Sequence, residues 1–245
     1  VARGNIRYPN VCTNAYSAAW ATGGATDPKY NVAQTKYPGP LDSLIPIPIG
    51  TKASPDADAH LVMFDPARNR VHEFWQASYN GSANSWSAGS AVSFDIGGKP
   101  AAGKGSNAAG FPQLALAIWP EEIQAGRIDH ALAFSVLKAA PSFRYPATKG
   151  DGQGVADDLP EGAWLALPTG LSPNSSWPAW VKVVFKALQD HGMFLMDQGG
   201  TLGIAGVNPA NQGLKWSDVG MGSGGSAGLP ADFPWASMRV LKPPS

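Results

Sequence analysis

The chain has 245 residues, with 18 Lys plus Arg balanced by 18 Asp plus Glu and only 15% charged residues in all. A neutral chain without basic blocks lacks the electrostatic footprint of a nucleic-acid binder, a hydrophobic share of 44% with nine Trp is too high for a disordered protein, and no apolar run nears the ~18 residues of a membrane span. The single Cys, Cys12, excludes an internal disulfide framework and a Cys-based zinc site, while 29 Gly and 22 Pro demand many loops.

Residues 1–57 read as an irregular extended segment packed on a single domain spanning 1–245. Within it Ile45-Pro46-Ile47-Pro48-Ile49 cannot be helical, because alternate prolines remove donors and fix φ. It is expected to run extended, with the isoleucines packed beneath. Strand candidates follow at 60–65 (HLVMFD) and 71–78 (VHEFWQAS), which read as a hairpin, then at 85–87 and 91–96 (AVSFDI), ended by Gly97-Gly98. Residues 99–109 read as loop and 111–118 as a short apolar helix. A second short helix begins at Pro120 with two acids behind it and stops at Gly126. The segment 128–136 (IDHALAFSV) is the clearest strand, and 163–167 is another.

One long helix is expected over 176–191, capped by Ser176 and stopped by Gly192, with Trp180, Val181, Val184, Phe185 and Leu188 on one stripe. Strands at 193–197 and 202–205 flank Gln198-Gly199-Gly200. A glycine-rich loop over 219–234 precedes a last strand at 237–241. Many short strands with one packing helix predict a mainly β fold, a β-sandwich or jelly roll with one long helix and short helices. No glycine-rich nucleotide loop follows a strand, and neither Ser87-Ala88-Gly89 nor Gly222-Ser223-Gly224 meets the strand-to-helix context that a Gly-x-Ser-x-Gly nucleophile elbow needs.

Alternation assigns faces. Val71, Glu73, Trp75 and Ala77 share one, and a carboxylate beside a Trp suits a sugar site, where the ring stacks on a pyranose and the carboxylate does acid–base work. In 128–136, Asp129 shares a face with Ala131, Ala133 and Ser135, as the floor of a groove would, while His130 falls on the apolar face. Glycoside hydrolysis needs two carboxyls across the scissile bond. The candidates are Asp129 and Glu73, with Asp95 and Asp197 in support. Each has a plainer explanation: Asp95 and Asp197 as turn-stabilising residues, Glu73 as part of a solvated face, His130 as a buried core histidine. Trp75, Trp86 and Trp119 are candidate stacking platforms, and His60 a candidate ligand or base. A polysaccharide lyase would instead use Tyr145 with His130 or His60, and Arg144 or Arg127 on a uronate, although a polyanion favours a basic groove. A metal could be imagined at Asp58, His60, Asp129 and His130, but no metal-binding motif is present; no metal and no cofactor are expected.

The segments 109–123, 126–132 and 188–200, with 57–61 and 73–77, resemble a pattern of secreted bacterial proteins that is tied to no characterised activity. The resemblance spans about 57–200 and implies a secreted, glycan-related β-sandwich. Jelly-roll glucanases are not resembled, since their Glu-x-Asp-x-x-Glu strand is absent, so no catalytic residue is carried over. The expected function is therefore a secreted glycoside hydrolase with a carboxylate pair in an open groove, acting on a poly- or oligosaccharide, with no nucleic acid and no membrane as partner. A non-catalytic carbohydrate-binding module and a polysaccharide lyase are the alternatives.

Overall fold

The computed structural model describes residues 10–12, 18–199, 202–209, 211, 215–222 and 226–242. Most of the first seventeen residues, Gly200 and residues 223–225 of the glycine-rich tail lie outside the described residues. In chain order the strands are β1 (Asn10–Cys12), β2 (Ala19–Thr22), β3 (Lys29–Tyr30), β4 (Ala33–Gln34), β5 (Ile45–Pro46), β6 (Leu61–Asp65), β7 (Arg70–Trp75), β8 (Ser78–Asn80), β9 (Ser85–Ala88) and β10 (Ser90–Asp95). They continue as β11 (Leu132–Val136), β12 (Trp164–Ala166), β13 (Met193–Gln198), β14 (Gly203–Ala205), β15 (Ser226–Gly228) and β16 (Arg239–Leu241). The α-helices are α1 (Pro120–Ala125) and α2 (Ala179–Asp190).

The fold is mainly β and sandwich-like. A seven-stranded mixed sheet runs β15-β1-β14-β11-β13-β12-β16, and a four-stranded sheet runs β10-β7-β6-β2. Two small ribbons, β3-β5 and β4-β9-β8, flank them. No helix among the described residues is long and apolar enough to cross a membrane.

The β6–β7 hairpin forms as expected, with Leu61 opposite Phe74 and Asp65 opposite Arg70. Its turn is held by the Asp65 carboxylate, which accepts from the Arg68 amide, and by Asn69 at φ +56, a conformation Asn tolerates. Period-two alternation then splits the sheet's side chains between two cores. Val62, Val71, Val92 and Phe94 meet Leu132, Phe134 and Leu195 of the large sheet and the Val181–Phe185 stripe of α2. Leu61, Met63, Phe74 and Ala91 turn the other way, onto Ile45, Ile47 and Trp86. The proline-alternating segment therefore covers the outer face of the small sheet: Ile45 and Ile47 are buried, whereas Ile49 is 87% exposed.

Three predicted elements differ, each for a local reason. The apolar stretch 111–118 is not a helix. Its main-chain groups are engaged elsewhere: the Phe111 amide donates to Asn107, the Gln113 amide to Glu73 and the Ile118 amide to the Ala205 carbonyl. Phe111, Leu114 and Ile118 still enter the core. The strand predicted from 128 begins at Leu132, because its neighbour β13 starts only after the Gly192 turn and residues before 132 have no ladder to join. Helix α2 starts at Ala179 rather than at a Ser176 cap. Trp177 precedes Pro178 and is thereby kept out of the α region, and Ser176 Oγ donates to Asn174 instead, at 2.9 Å.

Candidate functional site

Where the two sheets meet, a hollow of about 520 Å³ is lined by Tyr37, Asp58, His60, Trp75, Ser106, Asn107, Lys149, Asp151, Asp197 and Gln198. A neighbouring hollow of about 240 Å³ shares Asp58, His60, Asp197 and Gln198 with it and adds Gln113, Ser135 and Met196. Together they form one cleft.

Each wall has a structural cause. Asp197 comes from β13 just after a bulge: the pairing with β11 steps from Phe134–Leu195 to Ser135–Asp197, leaving Met196 unmatched. Met196, Asp197 and Gln198 thus reach the cleft in succession. Asp58 and His60 come from the turn before β6. Asp58 accepts from Trp75 Nε1 at 2.9 Å and pins the indole to the mouth of the cleft. There the ring lies 6.0 Å from that of Tyr37 at a 31° tilt, with Lys36 Nζ 5.2 Å from the indole centre. Gln76, at φ +54, breaks the strand immediately after Trp75. Ala77 therefore does not share the face of Glu73 and Trp75, as alternation predicts, but packs in the second core.

The opposite wall is the glycine-rich run Lys149-Gly150-Asp151-Gly152. Lys149 Nζ donates to the Gly105 carbonyl at 3.2 Å, and Gln198 Nε2 to the Asp151 carbonyl at 2.9 Å. Behind it, Glu161 is fully buried and accepts from the Asp151 amide at 3.4 Å. The third wall, residues 105–113, folds around Asn107, which accepts from the Gly110 and Phe111 amides and donates to Phe111 and Gln113. This loop hangs on Glu73, whose carboxylate accepts from the Gln113 amide and from Ser106 Oγ. It also donates the Ala108 amide to Asp197 at 3.3 Å.

Burial dominates the electrostatics. Asp197 is pushed up to about 7 by desolvation, with the nearby Asp151 charge adding to it. Glu161 is raised to about 7 by burial and by the Asp151 carboxyl beside it. Glu73 is raised to about 7 by burial, opposed by its two hydrogen bonds. Desolvation lowers Lys149 against the pull of Asp197, Asp151, Glu161 and Glu73. It also lowers His60, against Asp58 and Asp56, and so keeps the ring neutral. The cleft thus holds a carboxyl that can carry a proton near neutrality beside other carboxylates, the polarisation that acid–base chemistry on one substrate requires.

The sequence-predicted residues fall into three places. Asp197, His60 and Trp75 line the cleft. Glu73 lies one layer behind it, supporting Ser106 and Gln113, and reaches the floor of a separate, apolar hollow of about 310 Å³. His130 and Trp119 line that second hollow; His130 Nε2 pairs with Glu122 at 2.9 Å, which together with the Ala131 carbonyl raises its proton affinity. Asp129 is at the surface, paired with Arg127 at 2.7 Å, and is not brought together with Glu73. Asp95 pairs with Arg70 at 2.7 Å and is 69% exposed at its side chain. Trp86 is buried in the second core, and Tyr145 is exposed and lines neither part of the cleft. Among the described residues no group of three His, Cys, Asp or Glu is disposed to hold a metal.

Lys149, Asp151, Glu161, Ser106, Asn107 and Tyr37 complete the site without having been singled out in the sequence. One signal for the first two was available: a Lys and an Asp inside a glycine run, in a chain that uses charge sparingly. The chain matches no protein-family model, no curated protein and no solved structure.

Proposed function

We propose that the protein is a secreted glycan-active hydrolase, with Asp197 as the general acid. The observation that carries this reading is Asp197 itself: buried in a cleft, raised to about 7 with the Asp151 charge nearby, and sharing that cleft's lining with Trp75 and Tyr37. A pyranose stacked on the indole would present its glycosidic oxygen to Asp197, which donates the proton as the bond breaks. The Asp151 carboxylate supports the positive charge that develops on the sugar, or directs the attacking water. Asp58 fixes the ring through its bond to Trp75 Nε1.

The test is a screen of polysaccharides with product mass spectrometry, run on the parent and on Asp197→Asn. Hydrolysis adds one water for each bond broken, shared between the two products. The variant is expected to lose about a hundredfold or more in kcat with affinity retained. Activity of the parent should fall as pH rises through about 7, where Asp197 loses its proton. A polysaccharide retained without any product would favour a carbohydrate-binding module, and unsaturated products without added water a lyase.

A further inference from the structure

We propose that the apolar hollow beside His130 is a second ligand site, separate from the cleft, and that it takes a small neutral aromatic compound of one or two rings.

The hollow, of about 310 Å³, shares no lining residue with either part of the cleft. Val62, Val71, Phe94 and Leu114 line it and are buried. Its rim holds Ile96, which is 40% exposed, followed by Gly97 and Gly98. A Cβ added at Gly97 would meet nothing within 4 Å, so no side chain closes the hollow there. Apolar walls of this kind gain free energy when an apolar body replaces the water against them. An apolar cavity of about 150 Å³ takes a benzene, so this one has room for a second ring.

The polar groups in the wall select the kind of apolar body. Glu73 is bonded to the Gln113 amide and to Ser106 Oγ. Trp119 Nε1 donates to the Leu114 carbonyl at 3.3 Å, and Glu122 Oε2 accepts from the Trp119 amide at 2.9 Å. His130 Nδ1 lies 2.8 Å from the Ala131 carbonyl, and Nε2 lies 2.9 Å from Glu122 Oε1. A carbonyl and a carboxylate only accept, so both ring nitrogens carry a hydrogen and the ring is an imidazolium. Burial opposes that charge, but Glu122 and the Ala131 carbonyl outweigh it.

Trp119 and His130 are the lining side chains with an N–H, and both are spent within the protein. A sugar entering here would shed water and find no side-chain donor in exchange. The His130–Glu122 pair balances its own charge, so a charged ligand gains no counter-ion either. What His130 still offers is carbon: the ring faces and C–H edges of a cation. These attract the electron-rich face of an aromatic ring and give nothing comparable to a saturated one. Phe64, Phe94 and Trp119 add further aromatic surface to the same walls.

The experiment uses the intact chain with ¹³C-labelled Val, Leu and Ile methyls, at about pH 6, where the imidazolium is fully formed. It is titrated with phenol and 2-naphthol, with their saturated counterparts cyclohexanol and decahydro-2-naphthol, and with glucose. The aromatic compounds should shift the methyls of Val62, Val71, Leu114 and Ile96 saturably. Their saturated counterparts should bind about fivefold more weakly, the worth of one cation–π contact, and glucose should shift nothing. Ala115→Trp, at an exposed position of the rim, should obstruct the hollow and weaken aromatic binding about tenfold or more. His130→Gln, whose amide can still donate to Glu122 but carries no charge, should abolish the preference for the aromatic member of each pair. If that variant does not fold, the parent's preference and Ala115→Trp decide together. A saturated compound bound as tightly as its aromatic counterpart overturns the inference, as does aromatic binding that Ala115→Trp leaves unchanged. No shift with any compound overturns it as well. So do methyl shifts that follow protein concentration alone, which would mean that a second copy of the chain covers the hollow. None of these results bears on the glycan-active reading, which concerns the other site.

Discussion

Replacing Glu73 with Gln measures what the protein spends to keep a carboxyl inside its core. Glu73 is 1% exposed, and burial carries it from its ordinary 4.5 to about 7. At about 1.4 kcal/mol per pH unit, that difference corresponds to roughly 3 kcal/mol between the two protonation states. Between the two values the folded protein retains a proton that the unfolded chain has released. Stability is therefore fully present below about 4.5 and falls as pH rises, until it is lost above about 7. A Gln at this position imitates the protonated acid at every pH. Its carbonyl oxygen can still accept from the Gln113 amide, and its amide can meet Ser106 Oγ in place of the bond that hydroxyl now donates. At about pH 4 the variant should match the parent. At about pH 8 it should be more stable by up to ~3 kcal/mol, or some 6–12 °C in Tm for a chain of this size. Asp197 and Glu161 titrate in the same window with the same sign, so the quantity to compare is the parent's pH slope minus the variant's, from urea or thermal unfolding at the two pH values. Equal slopes, or a variant less stable than the parent at about pH 8, would refute the account of Glu73 as a buried acid.

Trp75→Ala should raise the KM for the cleaved glycan about tenfold with kcat little changed, because it removes the stacking surface and leaves Asp197 in place; initial-rate kinetics check this. Asp129→Asn should keep full activity and a Tm within about a degree of the parent, since the exposed pair with Arg127 contributes little; loss of activity would move the chemistry away from the cleft. Gly192→Ala should lower the denaturation midpoint by the equivalent of about 1–3 kcal/mol. Its φ of +71 suits glycine, and an added Cβ would press on the Leu165 carbonyl and Trp164 Nε1.

Local patterns carried the fold further than they carried the site. The β6–β7 hairpin was legible because its alternation and its Asp-Pro-Ala-Arg-Asn turn act over a dozen residues. The stripe on α2 was legible for the same reason. The segment 111–118 was not, because its hydrogen-bond partners, Glu73 and Ala205, are distant in sequence. Among the carboxylates, Asp197 emerged from its position at a strand end, whereas Asp129 was favoured by an alternation that begins four residues before the actual strand. Asp151 and Glu161 are brought to Asp197 by loops, and no period in the sequence encodes where a loop returns. Glu73 was legible as unusual but not as buried: a Glu facing a core looks, in one dimension, like a Glu facing water.

The bulge at Met196 bears on how such a site can arise or disappear. Strand pairing is set by main-chain atoms, while the direction of a side chain is set by counting residues. Inserting one residue in β11 opposite Met196 would leave β11 and β13 hydrogen-bonded along regular ladders and turn Ser135 and Asp197 together onto the face that Phe134 and Leu195 occupy. A single-codon insertion in β11 is thus a switch between a chain that presents a carboxyl to the cleft and one with the same sheets and none, a shorter route to new function, or to its loss, than rebuilding any of the three walls.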